Sequence, residues 1–218
     1  MKIFWHLYIH NPILFAGQAI TNWRVVGSIF PSSAPLRKAV IKNGFGEQKH
    51  FELVILHGIG SGEFVYEILR QAHERKISIS RLVVMDVNAK FITNTSRFLP
   101  VVVARYPSQT KVTFEIMDAL NTPQYIANNN FDKADLVIGT IPYSNLPQAQ
   151  LDEWAKMYAS ITKRFVYYTY LQEFKPPKHI ESAGIFRQSL AKYFGSVSEQ
   201  AKILANIPSA KVIVANQG

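Results

Sequence analysis

Short apolar runs alternate with amphipathic segments along the middle of this chain, and this alternation constrains the fold more than any other feature. Five runs within residues 51–171 are strand-like: FELVILH, RLVVMDV, TKVTFEIMD, ADLVIGTI and RFVYYTYL. Helix-like segments lie between most of them: GEFVYEILRQAHERK, NAKFITNTSRFLPVVVARYP and LDEWAKMYASIT. Strands separated by helices pair in parallel, because the chain crosses one face of the sheet before the next strand. The sequence therefore predicts an α/β fold with a mostly parallel sheet.

The two ends of this alternating region complete the predicted fold. In the tail, SVSEQAKILANI and AKVIVAN predict an antiparallel hairpin at one sheet edge, which brings the sheet to seven strands. Upstream, APLRKAVIKNGF predicts a short helix that Ser33 caps, with Pro35 in its first turn and Gly44 at its end. Because no low-complexity linker divides the chain, we interpret residues 23–218 as one domain.

Composition narrows the function classes. The net charge of +9 favours polyanionic partners, and both nucleic acid and an anionic lipid surface fit that description. The absence of cysteine excludes a disulfide scaffold and a thiolate zinc site.

The first 22 residues are apolar and aromatic. His6, His10 and the Asn11-Pro12 pair interrupt the apolar core that a signal peptide needs, and no run is long enough to span a membrane. The spacing of the polar residues predicts an amphipathic helix with a wide apolar face over residues 1–22. Such a face suits a membrane interface or a groove on the protein itself, and both interpretations stay open.

A glycine-dense turn, HGIGSG at 57–62, follows the first predicted strand. In open α/β sheets, ligands bind beyond the carboxyl ends of the strands, so this turn is a candidate binding site. The dinucleotide fingerprint needs a glycine where Glu63 or Val65 stands, and neither a P-loop nor a nucleophile elbow fits. The remaining pattern is G-x-G-x-G. Other residues share this edge of the predicted sheet: Asp86, Asp118, Gly139–Tyr143 and Tyr168–Tyr170.

This pattern after the first strand resembles the first motif of class I S-adenosylmethionine-dependent methyltransferases. The resemblance implies S-adenosyl-L-methionine as cofactor, with its methionine part along Gly58, Gly60 and Gly62. It further implies ribose contacts by Asp86 with Val87, and adenine contacts by Asp118 with Ala119. Taken alone, either aspartate is better explained as a cap at a strand end.

His57 departs from that pattern, because an acid commonly precedes the first glycine. A neutral imidazole can accept a hydrogen bond, whereas a protonated one repels a sulfonium cation. We therefore expect cofactor affinity to fall at acidic pH or to be weak throughout.

Longer segments resemble bacterial phospholipid N-methyltransferases, which convert phosphatidylethanolamine towards phosphatidylcholine. These segments are NWRVVGSIFPSS, IGTIPYSNLP, FVYYTYL and LANIPSAKVIVA. The resemblance implies that residues 1–22 attach the protein to the anionic inner face of the bacterial cytoplasmic membrane. It places Ser32, Ser33 and Thr140 beside the cofactor. Four basic residues add positive charge near this helix: Arg24, Arg37, Lys38 and Lys42.

The acceptor amine is expected at the IPY segment. Tyr143, with the carbonyls of Thr140 and Ile141, is predicted to line the amine site, where the aromatic ring attracts the positive charge that develops on nitrogen. Tyr168 and Tyr170 are either neighbours of this site or core residues of the fifth strand.

Two alternatives remain open. IPY resembles the N-L-P-Y motif of ribosomal RNA adenine dimethylases, but Thr140 replaces the asparagine and the part after Tyr170 is short for an RNA-clamping domain. Nucleic acid is therefore not the expected partner. The other alternative is a lipid-binding relative that has lost catalytic turnover. The departure from the usual motif at His57 suggests this alternative.

Overall fold

A seven-stranded sheet forms the centre of the protein, in a computed structural model that describes residues 32–171, 177–206 and 208–218. The strands are β1 His50–His57, β2 Ser78–Asp86, β3 Lys111–Ile116, β4 Leu136–Gly139, β5 Arg164–Tyr170, β6 Ser196–Ile203 and β7 Ala210–Asn216. Their spatial order is β3-β2-β1-β4-β5-β7-β6. Strands β1 to β5 pair in parallel, and β7 is antiparallel to both β5 and β6. The predicted α/β fold with a C-terminal antiparallel hairpin is confirmed.

Helices cover both faces of the sheet. They are α1 Ala34–Phe45, α2 Glu63–Glu74, α3 Ala89–Ser96, α4 Leu99–Arg105, α5 Thr122–Asn128, α6 Gln148–Ile161 and α7 Pro177–Tyr193. Two short 3-10 turns add Ala119–Asn121 and Tyr143–Asn145. Along β1, Val54 and Leu56 belong to the apolar layer under α1 and α2, while Leu53 and Ile55 belong to the layer under α5, α6 and α7. This burial on both faces explains why the strand sequences read as nearly continuous apolar runs.

Helix α1 begins as predicted and ends two residues later than expected. The Ser33 hydroxyl accepts the Leu36 N–H at 3.4 Å, and Pro35 lies in the first turn. The last helical residue is Phe45, and Gly46, with a φ of 54°, caps the helix after it. Gly44 is an internal residue of the helix. A Cβ on Gly44 would lie 3.0 Å from Cγ1 of Val166, so this glycine provides close packing of the helix on β5 rather than a helix end.

Helix α7 is an element that the sequence patterns do not predict. KPPKHI reads as a stiff basic loop, yet the helix begins at Pro177. Proline is favoured at the first helical position, since the N–H group it lacks would have no intrahelical partner there. Phe186 and Leu190, four residues apart, are buried on one face of α7. The predicted helix over residues 1–22 lies outside the described residues. Among the helices that are described, none is long and apolar enough to cross a membrane.

Gly139, at the end of β4, is expected to tolerate no side chain. A Cβ there would overlap the Tyr143 hydroxyl oxygen and lie 2.8 Å from Cε2 of Phe165. We expect Gly139→Ala to lower the free energy of unfolding by about 1–3 kcal/mol through overpacking. Gly184→Ala is the matched control, because its Cβ meets nothing within 4 Å, and it should stabilise α7 by about 0.5–1 kcal/mol. Urea unfolding of both variants measures the difference, and equal stabilities would contradict the packing described here.

Candidate functional site

A cavity of about 280 Å³ opens at the carboxyl ends of β1, β2 and β4, where the order of the sheet reverses. This is the place where open α/β sheets bind ligands. Most of the predicted site residues border it: Ser32, Gly58, Gly60, Asp86, Val87, Asp118, Ala119, Thr140 and Ile141. Four predicted residues do not border this cavity: Ser33, His57, Gly62 and Tyr143.

The glycine turn requires its glycines for conformation and for space. Gly58, Gly60 and Gly62 have φ angles of 84°, 51° and 84°, in the region that side chains disfavour. A Cβ on Gly58 would lie 2.7 Å from the Thr140 hydroxyl, and one on Gly62 would lie 2.5 Å from the Thr95 hydroxyl. The turn therefore packs closely on its neighbours and presents bare backbone to the cavity.

Asp86 joins the end of β2 to this turn. Its Oδ2 accepts the Ile59 N–H and its Oδ1 accepts the Asn88 N–H, both at 2.7 Å. Burial raises the pKa of the Asp86 carboxyl above its ordinary value, while the backbone N–H groups of Asn88, Ile59 and Gly60 oppose that rise. A carboxylate has about four acceptor positions, so Asp86 can still accept a hydrogen bond from a ligand diol.

Asp118 both caps a turn and borders the cavity. Its Oδ1 accepts the Leu120 N–H at 2.9 Å, at the start of the 3-10 turn. The neighbouring Ala119 is buried, whereas Val87, across the cavity rim at the end of β2, is 55% exposed. The small, apolar surfaces of Ala119 and Val87, with the Asp118 carboxylate nearby, suit a flat heteroaromatic ring.

His57 lies beneath the cavity, and its predicted contact with the cofactor is corrected. The ring is fully buried, with Nδ1 3.1 Å from the Tyr158 hydroxyl and Nε2 2.9 Å from the Thr122 hydroxyl. The Thr122 hydroxyl donates its hydrogen bond to the Ala119 carbonyl at 2.6 Å, so its oxygen accepts a hydrogen bond from the Nε2–H group of His57. Tyr158 then donates to Nδ1, and Tyr143 donates to Tyr158 at 2.7 Å. Neutral His57 thus ties the segment after β3 to the segment after β4.

Protonation of His57 does not explain any acid sensitivity of ligand binding. Burial lowers the pKa of His57 from 6.5 to about 3, so the ring is neutral at the pH values where binding is measured. The expectation that cofactor affinity falls as His57 becomes cationic is therefore revised.

Tyr143 is a core residue beside a smaller cleft. Its ring stacks on Phe186 of α7 with 4.5 Å between centroids, and it is only 4% exposed. Burial raises the pKa of the Tyr143 hydroxyl well above its ordinary value. Because α7 covers this ring, Tyr143 does not border the large cavity. The prediction that Tyr143 lines the amine site there is therefore corrected. The tyrosines that do border the cavity are Tyr168 and Tyr170 of β5.

Thr140 and Ile141 border the cavity with part of their polar groups already bonded. The Thr140 hydroxyl donates to the Gly58 carbonyl at 2.7 Å, which anchors the glycine turn. The Ile141 carbonyl accepts the Tyr143 N–H at 2.9 Å and keeps one acceptor position.

The serine pair before α1 divides its roles. The Ser32 hydroxyl lies 3.0 Å from the Tyr168 hydroxyl and borders the cavity. Ser33 caps α1, and its N–H donates to Oδ1 of the buried Asn206 at 2.8 Å. Two of the segments that carry the phospholipid methyltransferase resemblance, around residues 33 and 206, are therefore in direct contact.

The sequence pattern does not identify the buried ion pair of Arg37 and Glu63. Glu63 borders the cavity, and its Oε2 lies 3.1 Å from Nη1 of Arg37 and accepts the Ser61 hydroxyl at 3.0 Å. Burial raises the pKa of Glu63, while Arg37 and Ser61 oppose that rise. Arg37 also donates to the Ser32 carbonyl. It is 6% exposed and does not add to the basic surface around Lys38 and Lys42 as predicted.

Solved structures with the same fold include several methyltransferases. The O-methyltransferase from Bacillus cereus, solved with S-adenosylhomocysteine, matches with a TM-score of 0.61 at 10% identity, over 99% of this chain and 96% of that one. A protein from Pyrococcus horikoshii that is provisionally described as an RNA methyltransferase matches with a TM-score of 0.53 at 11% identity, over 84% of this chain and 81% of that one. The protein has the Rossmann-like methyltransferase fold.

A spermidine synthase in complex with the transition-state analogue AdoDATO shares this methyltransferase fold, with a TM-score of 0.52 and 13% identity over 83% of this chain. This chain spans 57% of that enzyme's length. No family model and no curated protein matches the sequence. These similarities establish the fold and leave the ligand and the substrate to the residues of the cavity.

The described lining of the cavity carries acidic side chains, although the protein is basic. The ionic side chains that border it are Glu63, Asp86 and Asp118, and no Lys, Arg or His belongs to its described lining. Within the described residues, no group of three or more His, Cys, Asp or Glu side chains could hold a metal ion. The arrangement favours a cationic organic ligand with hydroxyl groups.

The buried His57 should make stability depend on pH. Because its pKa is about 3 in the folded protein and 6.5 as a reference, the unfolded chain binds the proton more readily. The stabilisation is complete above about pH 6.5 and decreases as the pH falls, by about 2 kcal/mol between pH 8 and pH 5. Urea unfolding of the parent protein and of His57→Gln over this range separates this contribution from that of the carboxyl groups. Equal pH dependence in both proteins would show that His57 is accessible to protons.

Proposed function

We propose that this protein is an S-adenosylmethionine-dependent N-methyltransferase whose acceptor is the amine of phosphatidylethanolamine. The observation that carries the proposal is the acidic cavity lining in which Asp86 and the glycine turn are joined by a 2.7 Å hydrogen bond. A sulfonium cofactor with a ribose diol needs these two features together.

The residues present fit that cofactor. Asp86 retains an acceptor position for a ribose hydroxyl. Val87 and Ala119 offer apolar surface for adenine, and Asp118 lies beside them. The backbone of Gly58 and Gly60 borders the remaining part of the cavity, where the methionine end would lie. When bound, the cofactor supplies a methyl group on a positively charged sulfur, which is already activated for displacement.

The protein's own contribution is to position a neutral amine. A protonated amine has no lone pair, so the acceptor loses its proton to solvent before the attack and enters the cavity as the neutral amine. The free acceptor position of the Ile141 carbonyl can hold an amine N–H and direct the lone pair into the cavity. Tyr168, Tyr170 and Trp154 border the same cavity, and their ring faces attract the positive charge that develops on nitrogen. These rings replace Tyr143 in the proposed amine site.

The phospholipid acceptor is supported by the sequence segments and by charge. The contact between Ser33 and Asn206 joins two of the segments that resemble phospholipid N-methyltransferases. Lys38 and Lys42, four residues apart on α1, are exposed. For residues 1–22 we propose attachment to an anionic membrane surface at the inner face of the cytoplasmic membrane, to which these lysines would add positive charge.

Removal of the Asp86 charge should weaken cofactor binding. Hydrogen bonds to a charged group contribute about 1.5–3 kcal/mol, so we expect Asp86→Asn to bind S-adenosylhomocysteine about 10- to 150-fold more weakly in calorimetric titration. Asp152→Asn is the control, because Asp152 is a half-exposed aspartate on α6 that bonds Lys192 outside the cavity. Similar affinities for both variants would contradict the role of Asp86.

Methyl transfer should distinguish the acceptor classes. Purified protein is incubated with methyl-labelled S-adenosylmethionine and either phosphatidylethanolamine liposomes containing anionic lipid or precursor ribosomal RNA. We expect label in the lipid only, and less of it as salt screens the basic surface. Label in the RNA would contradict the phospholipid acceptor and would indicate an RNA base as the acceptor instead. Cofactor binding with no labelled lipid would support the lipid-binding relative without turnover.

A further inference from the structure

A buried carboxylate faces the cavity immediately after the glycine turn. Glu63 is the first residue of α2, is 7% exposed and borders the cavity beside Ser61. A carboxylate is rarely kept in such a place without a partner for each of its oxygens. Glu63 therefore needs an explanation beyond the start of a helix.

The two oxygens of Glu63 are treated differently by the protein. Both the Arg37 guanidinium and the Ser61 hydroxyl bond to Oε2, at 3.1 and 3.0 Å. Within the described part of the chain, no hydrogen bond reaches Oε1. Arg37 is itself held by the Ser32 carbonyl, so the guanidinium fixes the direction of the carboxylate. One oxygen orients the group and the other remains for a ligand in the cavity.

We propose that Oε1 of Glu63 binds the α-ammonium group of the cofactor's methionine part, with Arg37 as the residue that positions it. This inference rests on the proposed function. The first backbone N–H groups of α2 have no intrahelical partner and favour an anion, so the α-carboxylate and the α-ammonium of one amino acid find opposite partners within the same turn.

The other ionic groups near the cavity are less suited to this role. His57 has both ring nitrogens bonded to Tyr158 and Thr122 and lies below the cavity. Asp86 ends β2 and already accepts the Ile59 N–H of the turn, and Asp118 follows β3 and caps a 3-10 turn. Glu63 alone among the carboxylates of the described lining is placed on α2, beside the bare backbone of the turn.

The test compares three ligands that differ only at the methionine end: S-adenosylhomocysteine, its deamino analogue, and 5′-methylthioadenosine, which lacks the amino acid. We expect the parent protein to bind S-adenosylhomocysteine at least about tenfold more tightly than the deamino analogue, as a charged hydrogen bond requires. In Glu63→Gln this preference should disappear, while affinity for 5′-methylthioadenosine changes by less than about twofold.

Two further variants separate recognition from folding. Glu67→Gln is the matched control: Glu67 lies one turn further along α2, is buried, and bonds Arg70 and Gln71 instead of the cavity. It should keep the preference for the ammonium group. Because Glu63→Gln leaves Arg37 without its counter-ion, the double variant Arg37→Met with Glu63→Gln restores charge balance in the core. It should also lack the preference.

Each outcome decides between the two proposals. A parent protein that binds none of the three ligands overturns the proposed function itself. Binding of all three without a preference for the ammonium group, or a preference that survives in either Glu63 variant, overturns the role of Glu63 alone. Loss of 5′-methylthioadenosine binding in both Glu63 variants would make Glu63 a structural residue of the turn and would also overturn its assignment.

Discussion

The glycine turn after β1 is the constraint on which the cavity depends, because its conformation is fixed from both sides. Asp86 accepts the Ile59 N–H from the side of β2, and the Thr140 hydroxyl donates to the Gly58 carbonyl from the side of β4. Three positive φ angles allow the backbone to follow this path. Since β1 lies between β2 and β4 in the sheet, these bonds bring three strand ends to one cavity.

A second set of contacts lies one layer below and connects the loops that border the cavity. The chain from Tyr143 through Tyr158 and His57 to Thr122 has one consistent direction of proton donation, and it is buried. Such a network is stabilising only when each member is satisfied. His57 therefore has a structural role for which an acid in its place would be poorly suited, because a buried carboxylate cannot donate to Thr122 without a proton. The departure from the usual methyltransferase motif is compatible with an intact cavity.

The succession of strands and helices along the chain and the strand-end acids could be predicted from the sequence, because they depend on local patterns. Apolar runs identify β1 to β5, and parallel pairing brings Asp86, Asp118 and Thr140 to one edge. The position of Tyr143 could not be predicted in the same way, since it depends on α7. That helix has small and polar residues, such as Ser182, Gly184 and Ser189, among its apolar ones, so its periodicity is weak. Glu63 was visible in the sequence only as the residue that breaks a dinucleotide fingerprint. Its pairing with Arg37 depends on the packing of α1 against α2, which no local pattern encodes.

The distribution of charge gives the fold two separate electrostatic preferences. The chain carries a net charge of +9, yet Glu63, Asp86 and Asp118 are the ionic residues of the described cavity lining. Exposed lysines such as Lys38 and Lys42 attract anionic partners outside the protein. At physiological salt this attraction is screened beyond a Debye length of about 8 Å. The carboxylates inside the cavity are far less screened, because protein replaces most of the surrounding water. Ionic strength should therefore alter association with an anionic surface much more than it alters binding of a cationic ligand in the cavity. The proposed function, which combines a sulfonium cofactor with an anionic lipid surface, would use this separation, because the two partners have opposite charge.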